Sequence, residues 1–84
     1  MLESIFNEYP DHLFIKLDGL DDAIIGSTVI NTPRLVYSFD KIIEILEERD
    51  GADYHEATEF FWFNIEPLAL MVNGPVFEYP DNEE

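Results

Sequence analysis

Negative charge is the feature that most constrains what this chain can fold into. Its 84 residues include 19 Asp and Glu against four Lys and Arg, which gives a formal net charge of −15 at pH 7. Acidic chains stay disordered when they lack apolar residues. Here 46% of the residues are hydrophobic and 14% are aromatic. We therefore expect a folded domain with a densely anionic surface.

Size and composition limit the classes of protein to consider. Residues 1–80 suffice for a single small domain, and residues 81–84 are interpreted as an acidic tail. The absence of Cys leaves no disulfide framework or thiolate metal site and suits a cytoplasmic location. No signal peptide and no membrane-spanning run is expected. Because phosphates and anionic lipids would repel the chain, we expect neither direct nucleic-acid binding nor membrane docking.

The N-terminal part of the chain is predicted to form a short helix and then strands. A helix over residues 1–9, ended by Pro10, is expected because four apolar residues share one helical face: Leu2, Ile5, Phe6 and Tyr9. Apolar patterning predicts strands at residues 12–17, 23–30 and 34–37. Turns are expected at residues 18–19 and 31–33, and a bulge or bend at Gly26.

The clearest element is a helix over Phe39–Asp50. Ser38 suits the N-cap and Gly51 suits the position just past the helix end. The apolar face of this helix is formed by Phe39, Ile42, Ile43 and Leu46.

A second helix is expected after a short link, so that the two form a helical hairpin. Asp53 suits its N-cap, Glu56 suits the capping-box position, and Pro67 would end it near residue 66. Its apolar face is expected to contain Tyr54, Ala57, Phe61, Asn64 and Ile65. A turn at residues 73–75 and a last strand at residues 76–79 would follow. This order predicts an α+β fold with a small, mostly antiparallel sheet and the helical hairpin packed on one face.

Four carboxylates lie opposite the apolar face of the first of these two helices. We call them the acidic stripe: Asp40, Glu44, Glu47 and Glu48. Helical residues four apart are separated by about 6 Å along the axis, so the stripe is a row of negative charges on a rigid rod. Such a row could imitate nucleic-acid phosphates, with Glu56 and Glu59 adding charge on the next helix. The alternative interpretation is that these carboxylates only keep the outer face of the helix in contact with water.

Aromatic residues offer a second candidate surface. Residues 60–63 are Phe, Phe, Trp and Phe, so bulky rings surround much of the second helix. If Trp62 and Phe63 project away from its main apolar face, they could anchor a partner or a homodimer. We expect instead that a second face here is buried under the N-terminal segment or the sheet.

Asp18, Asp21 and Asp22 form a third candidate, close to a predicted turn. Carboxylates in tight turns can bind Ca²⁺ or Mg²⁺, and paired carboxylates can do acid/base work. Asp is also common in turns because its side chain accepts bonds from nearby backbone N–H groups. We favour this turn interpretation.

No other catalytic pattern is present in the sequence. His12 and His55 have no neighbouring ligand in metal-site spacing, and Ser4, Ser27 and Ser38 lack the context of a nucleophile elbow. No phosphate-binding glycine loop occurs. We therefore expect neither an enzyme nor a bound metal or cofactor.

Several segments give the chain a family resemblance. Residues 17–26 (LDGLDDAIIG), 36–46 (VYSFDKIIEIL) and 56–65 (EATEFFWFNI) resemble segments of a group of small uncharacterised phage and bacterial proteins. Residues 74–77 (GPVF) are similar to that group more loosely. The similarity covers roughly residues 17–77. It implies a short accessory protein, often phage-borne, and supplies neither an activity nor site residues.

These features favour a non-enzymatic, acidic protein-binding module. Its acidic stripe, supported by Glu56 and Glu59, would dock on a basic, nucleic-acid-binding surface of a host protein in the manner of a DNA mimic. A phage-borne chain would inhibit that protein in the host cytoplasm. Two alternatives stay open. One is a homodimer or adaptor anchored by Trp62 and Phe63, with acidity serving solubility, and the other is a cation-binding protein or small enzyme at the aspartate cluster.

Overall fold

The computed structural model describes residues 2–8, 14–28 and 33–80. Its helices are α1 (Leu2–Glu8), α2 (Phe39–Asp50) and α3 (Tyr54–Phe60), and its strands are β1 (Ile24–Ser27), β2 (Leu35–Ser38) and β3 (Val76–Glu78). The predicted α+β class is confirmed. The expectations for Tyr9, Pro10, His12, residues 29–32 and the acidic tail at 81–84 lie outside the described residues.

The three strands form one small sheet with β2 at its centre. β1 pairs with β2 antiparallel, and the register shifts between Ile24 and Gly26, in agreement with the bulge or bend predicted at Gly26. β3 pairs with β2 in parallel, with Val36 opposite Val76. A parallel pair needs a long crossover connection, and both helices of the hairpin lie in the connection between these two strands.

The strand predicted at residues 12–17 is wrong over its described part, because residues 14–17 do not form a strand. The backbone there bonds to other groups. The Leu17 N–H donates to the Tyr37 hydroxyl over 2.7 Å, and the Leu20 N–H donates to the Leu17 carbonyl over 3.2 Å. The intervening turn places Gly19 at φ 78°, in the left-handed region that favours glycine.

The second and third predicted strands are present with shifted ends. β1 begins at Ile24 because residues 21–23 form a 3-10 turn. β2 ends at Ser38, which also caps α2. Beyond β1, the Thr28 N–H donates to the Arg34 carbonyl, and the Arg34 N–H donates back to Thr28 Oγ1.

Both helices of the hairpin begin as predicted. The Lys41 N–H donates to Ser38 Oγ, and Gly51 ends α2 in the left-handed conformation. At α3, Asp53 and Glu56 form a complete capping box. The apolar face predicted for α2 is buried, so this helix is the best-specified element of the chain.

The second half of the hairpin differs from prediction. The α-helix ends at Phe60 and continues as a π-helix over Phe61–Ile65 and a 3-10 helix over Glu66–Leu70. Pro67 therefore does not end the helical segment. It lies in the first turn of the 3-10 helix, where its missing N–H costs no bond.

The π-helix also changes which side chains are buried. A π-helical turn is wider than an α-helical turn, and here it is closed by the hydrogen bond from the Glu66 N–H to the Phe61 carbonyl. Four residues therefore advance the chain by slightly less than one full turn, whereas in an α-helix four residues advance it by slightly more. Ala57, Phe61 and Ile65 are all buried. Tyr54 and Asn64, which were expected on the same face, are exposed.

The core joins the sheet, the hairpin and α1. Its buried residues come from every one of these parts, and they are Ile5, Leu17, Leu20, Ala23, Ile24, Leu35, Tyr37, Phe39, Ile42, Ile43, Leu46, Ala57, Phe61 and Ile65. Phe61 lies at its aromatic centre, 4.9 Å from the Phe39 ring and 5.0 Å from the Phe77 ring, edge to face in both pairs.

Candidate functional site

The acidic stripe lies on the outer surface of α2. Asp40, Glu44 and Glu48 are exposed, and Glu47 is half-buried at the side nearer the core. Among the described residues, none of the four carboxylates forms an ion pair with a Lys, Arg or His side chain. The stripe is therefore a row of carboxylates, three of them exposed, that forms no ion pair in the described part of the fold.

Two of the basic residues bind elsewhere. The Lys16 ammonium lies 3.2 Å from Asp21. The Arg49 guanidinium lies 3.0 Å from the Asp50 carboxylate and also donates to the Gly19 carbonyl. The hydrogen bond from Arg49 lowers the pKa of Asp50 below its usual value, and the same bond raises the pKa of Arg49.

The two supporting glutamates on α3 are exposed but have local partners. Glu56 Oε1 accepts a hydrogen bond from the Asp53 N–H over 3.1 Å, as part of the capping box. The Glu59 carboxylate lies 3.3 Å from His55 Nε2. Glu56 thus stabilises the helix start in addition to carrying charge, so it contributes less freely to a binding surface than the stripe does.

The aromatic segment is more exposed than expected. Phe63 is 77% exposed and Trp62 is 48% exposed, so the prediction that both are buried is wrong. Only Phe61 and Ile65 of the π-helix face the core, because the wide turn aligns them with Ala57 and leaves the residues between them outside. Trp62 and Phe63 are therefore accessible to a partner.

Trp62 belongs to an ordered group of rings. Its indole stacks on the Tyr79 ring at a centroid distance of 5.8 Å and an interplanar angle of 7°. The Phe39 ring lies 6.2 Å from Trp62 and 5.4 Å from Tyr79. Sequence patterning did not group these three residues, because β3 brings Tyr79 beside α2 and the π-helix only in the folded chain.

An open depression of about 430 Å³ lies over these rings. We call it the aromatic depression, and it is lined by Phe39, Tyr54, Thr58, Trp62, Tyr79 and Pro80. Partial burial, and secondarily the nearby charge of Glu66, raises the pKa of Tyr79 above its ordinary value. Negative charge therefore acts on the ring system that forms the wall of this depression.

Further apolar side chains are exposed after the π-helix. Leu70 is 89% exposed and Val72 is 84% exposed, with Met71 about half exposed between them. They lie at and beyond the end of the 3-10 helix, whose residues include none that is fully buried. Sequence analysis missed them, since a run of apolar residues is normally interpreted as core.

The aspartate cluster does not form a metal site in the described residues. No group of three or more His, Asp or Glu side chains is placed there to hold a metal ion. Asp21 is paired with Lys16, and Asp18 and Asp22 are exposed. Asp21 and Asp22 are the first two residues of a 3-10 turn, in agreement with the turn interpretation.

The other candidate residues remain separate. His55 contacts Glu59 near the start of α3, Ser38 caps α2, and Ser27 ends β1. Ser4 is exposed on α1, and His12 lies outside the described residues. The part of the chain that the structure describes contains no helix with the length and apolar character required to cross a membrane.

Comparisons with protein-family models, with curated proteins and with solved structures found no match to this chain. The resemblance to small phage and bacterial proteins stays a prediction. Arguments about function rest on the geometry of the acidic stripe and of the exposed aromatic side chains.

Proposed function

We propose that this protein is a non-catalytic binding module whose acidic stripe docks on a basic surface of another protein. One observation carries the proposal: the stripe carboxylates are on the outer face of α2, and none has a cationic partner among the described residues. Like charges four residues apart destabilise a helix by about 0.2–0.5 kcal/mol per pair. Attraction to a cationic partner surface would offset that repulsion and would speed the association of the two proteins.

In its finer form, the proposal identifies the basic surface as one that binds nucleic acid. A row of carboxylates on a rigid helix presents regularly spaced negative charge, as a phosphate backbone does. The domain would then compete with nucleic acid for its partner and act as an inhibitor. This is the role that we infer for a phage-borne accessory protein.

The experiment compares two double variants that change the net charge equally. Glu44→Lys with Glu48→Lys reverses the stripe, whereas Glu3→Lys with Glu8→Lys places the same charges on exposed positions of α1. The probe is a hexalysine peptide, measured by calorimetry at low salt. Glu47 is left unchanged because it is half-buried.

The stripe variant is expected to bind hexalysine at least about tenfold more weakly than the α1 variant, a difference of about 1.4 kcal/mol. Equal loss in both variants would mean that only the total charge matters, and it would overturn the assignment to the stripe. For the nucleic-acid form, a short DNA duplex should displace the domain from a bound partner; simultaneous binding of both would refute it.

A second candidate function is an apolar-anchored homodimer or adaptor, favoured by the exposure of Phe63, Leu70 and Val72. Isolated exposed apolar residues are ordinary, but several large ones in a small chain are a common feature of interaction sites. Sedimentation in high salt tests it. Self-association that persists there and is abolished by Phe63→Ser supports this candidate, whereas a monomer at all salt concentrations rules out the homodimer.

A further inference from the structure

We propose that the aromatic depression holds an arginine side chain from the basic segment of the partner. This inference rests on the proposed function and identifies a chemical group of the partner that would bind at the start of α2. Phe39 lines the depression and Asp40, the first residue of the stripe, follows it directly in the chain. The depression and the stripe therefore both begin at the first turn of α2, on different sides of that helix.

The aromatic wall of the depression is already assembled in the free protein. Trp62 and Tyr79 are nearly parallel at 7°, and Phe39 packs against both of them. These rings are held from two sides, since Trp62 is on the π-helix and Tyr79 directly follows β3. Because the stack is formed before binding, these side chains would lose little conformational entropy when a ligand binds.

One polar group of the depression is already engaged. Thr58 lines it, and Thr58 Oγ1 donates its hydrogen to the His55 carbonyl. No basic residue is among the described residues that line the depression. An anionic ligand would meet ring faces and the negative charge of Glu66, which acts on Tyr79.

Charge complementarity selects a cation for this place. The faces of Trp and Tyr attract cations within about 6 Å of the ring centroid. Arginine fits better than lysine because the guanidinium is planar, stacks on aromatic faces and is more weakly hydrated than an ammonium. A basic protein segment supplies arginines together with the charges that the acidic stripe would contact.

The experiment uses the fluorescence of Trp62, which is the only tryptophan of the chain and lines the depression. Hexaarginine and hexalysine peptides have the same charge, so their difference reports the guanidinium. Hexaarginine is expected to change the emission of Trp62 and to bind more tightly than hexalysine. Equal affinity of the two peptides would overturn the proposal.

Substitutions in the wall locate the effect. Tyr79→Leu and Tyr54→Leu should each lower the affinity for hexaarginine by about fivefold and reduce the preference over hexalysine. Tyr79→Phe keeps the ring and should preserve both. Phe63→Leu is the matched control, since Phe63 is an exposed aromatic of the same π-helix that does not line the depression. Circular dichroism checks that each variant is folded.

The two proposals fail in different ways. Stripe reversal should weaken both peptides alike and leave their ratio unchanged, because the stripe contributes charge without recognising shape. If the wall variants keep the preference for arginine, the depression is not its site, even where the stripe variant loses binding. If instead the stripe variant binds as well as its α1 control while the wall variants lose the preference, the stripe assignment fails and the depression stands.

Discussion

At the scale of single residues, Tyr37 shows how one polar group is accommodated in the core. Its side chain is completely buried, and its hydroxyl oxygen accepts a hydrogen bond from the Leu17 N–H over 2.7 Å. That bond links the segment before the Asp18–Gly19 turn to the central strand. Burial without such a bond would be costly.

Removal of this hydroxyl should leave the Leu17 N–H without its acceptor. We expect Tyr37→Phe to lower the free energy of unfolding by about 1–3 kcal/mol, the cost of a buried unsatisfied donor. Urea denaturation measures it. Tyr54→Phe is the control, because Tyr54 is 62% exposed, and it should change stability little. Equal stability of Tyr37→Phe and the parent chain would contradict the role assigned to this bond.

The same hydroxyl predicts a loss of stability in alkali. Burial raises the pKa of Tyr37, opposed by its bond to Leu17 and assisted by the charge of Asp21. A raised pKa in the folded state means that the folded chain holds this proton more tightly than the unfolded chain. The stabilisation is complete below the ordinary tyrosine pKa of about 10 and is lost as pH rises through the raised value.

The melting temperature should therefore fall as pH rises above about 10. Tyr79, whose pKa is also raised, adds to the same trend. In Tyr37→Phe the decline should be shallower, since among the described tyrosines with a shifted pKa only Tyr79 is left. An equally steep decline in that variant would show that other groups cause the alkaline unfolding.

Two glycines are expected to differ in their tolerance of the same substitution. A Cβ on Gly74 would meet the backbone carbonyl oxygens of Leu68 and Met71, whereas a Cβ on Gly26 would meet nothing within 4 Å. Backbone atoms cannot give way as a flexible side chain can. Gly74→Ala should therefore cost about 1–3 kcal/mol, and Gly26→Ala should be nearly neutral. Thermal denaturation compares them, and similar melting temperatures would refute the steric account.

At the scale of elements, the capping box of α3 can be tested separately from its charge. Asp53→Ala removes the acceptor for the Glu56 N–H, a bond of 2.8 Å, and should cost about 0.5–2 kcal/mol. Glu56→Gln retains an oxygen that can accept from the Asp53 N–H, so it should be milder. Thermal unfolding measures both. If the two variants were equally destabilised, charge rather than capping would be the main contribution.

Local signals predicted these helix starts because the required groups are within a few residues of one another. Ser38 and Gly51 bound α2, and Asp53 with Glu56 begins α3, through bonds between near neighbours. The apolar face of α2 follows from the same short-range periodicity. No tertiary contact is needed to recognise these features.

Other elements depend on contacts that a local pattern does not contain. Residues 14–17 alternate like a strand, yet the Leu17 N–H bonds to Tyr37, twenty positions later in the chain. The parallel pairing of β3 with β2 likewise requires the intervening hairpin. At the candidate site, the exposed carboxylates of α2 followed from periodicity. The aromatic depression did not, because it depends on the π-helix and on the position of Tyr79.

At the scale of the whole molecule, the net charge of −15 opposes the compact state and at the same time favours a cationic partner. Dissolved salt weakens both of these electrostatic effects. It screens repulsion among solvated carboxylates within the fold, and it also screens their attraction to a basic probe. Stability and affinity are thus expected to change in opposite directions over one salt series.

Raising NaCl from about 10 mM to about 150 mM shortens the screening length from about 30 Å to about 8 Å. The melting temperature should rise, by about 4–8 °C for each 1 kcal/mol of relieved repulsion, while affinity for hexalysine falls. Glu44→Gln with Glu48→Gln should reduce both dependences, because it removes exposed charges of the acidic stripe without adding new ones. A melting temperature that stays flat or falls over this range would mean that the carboxylates do not repel one another appreciably in the folded chain. In that case the stripe would lack the unneutralised charge on which docking to a basic surface depends.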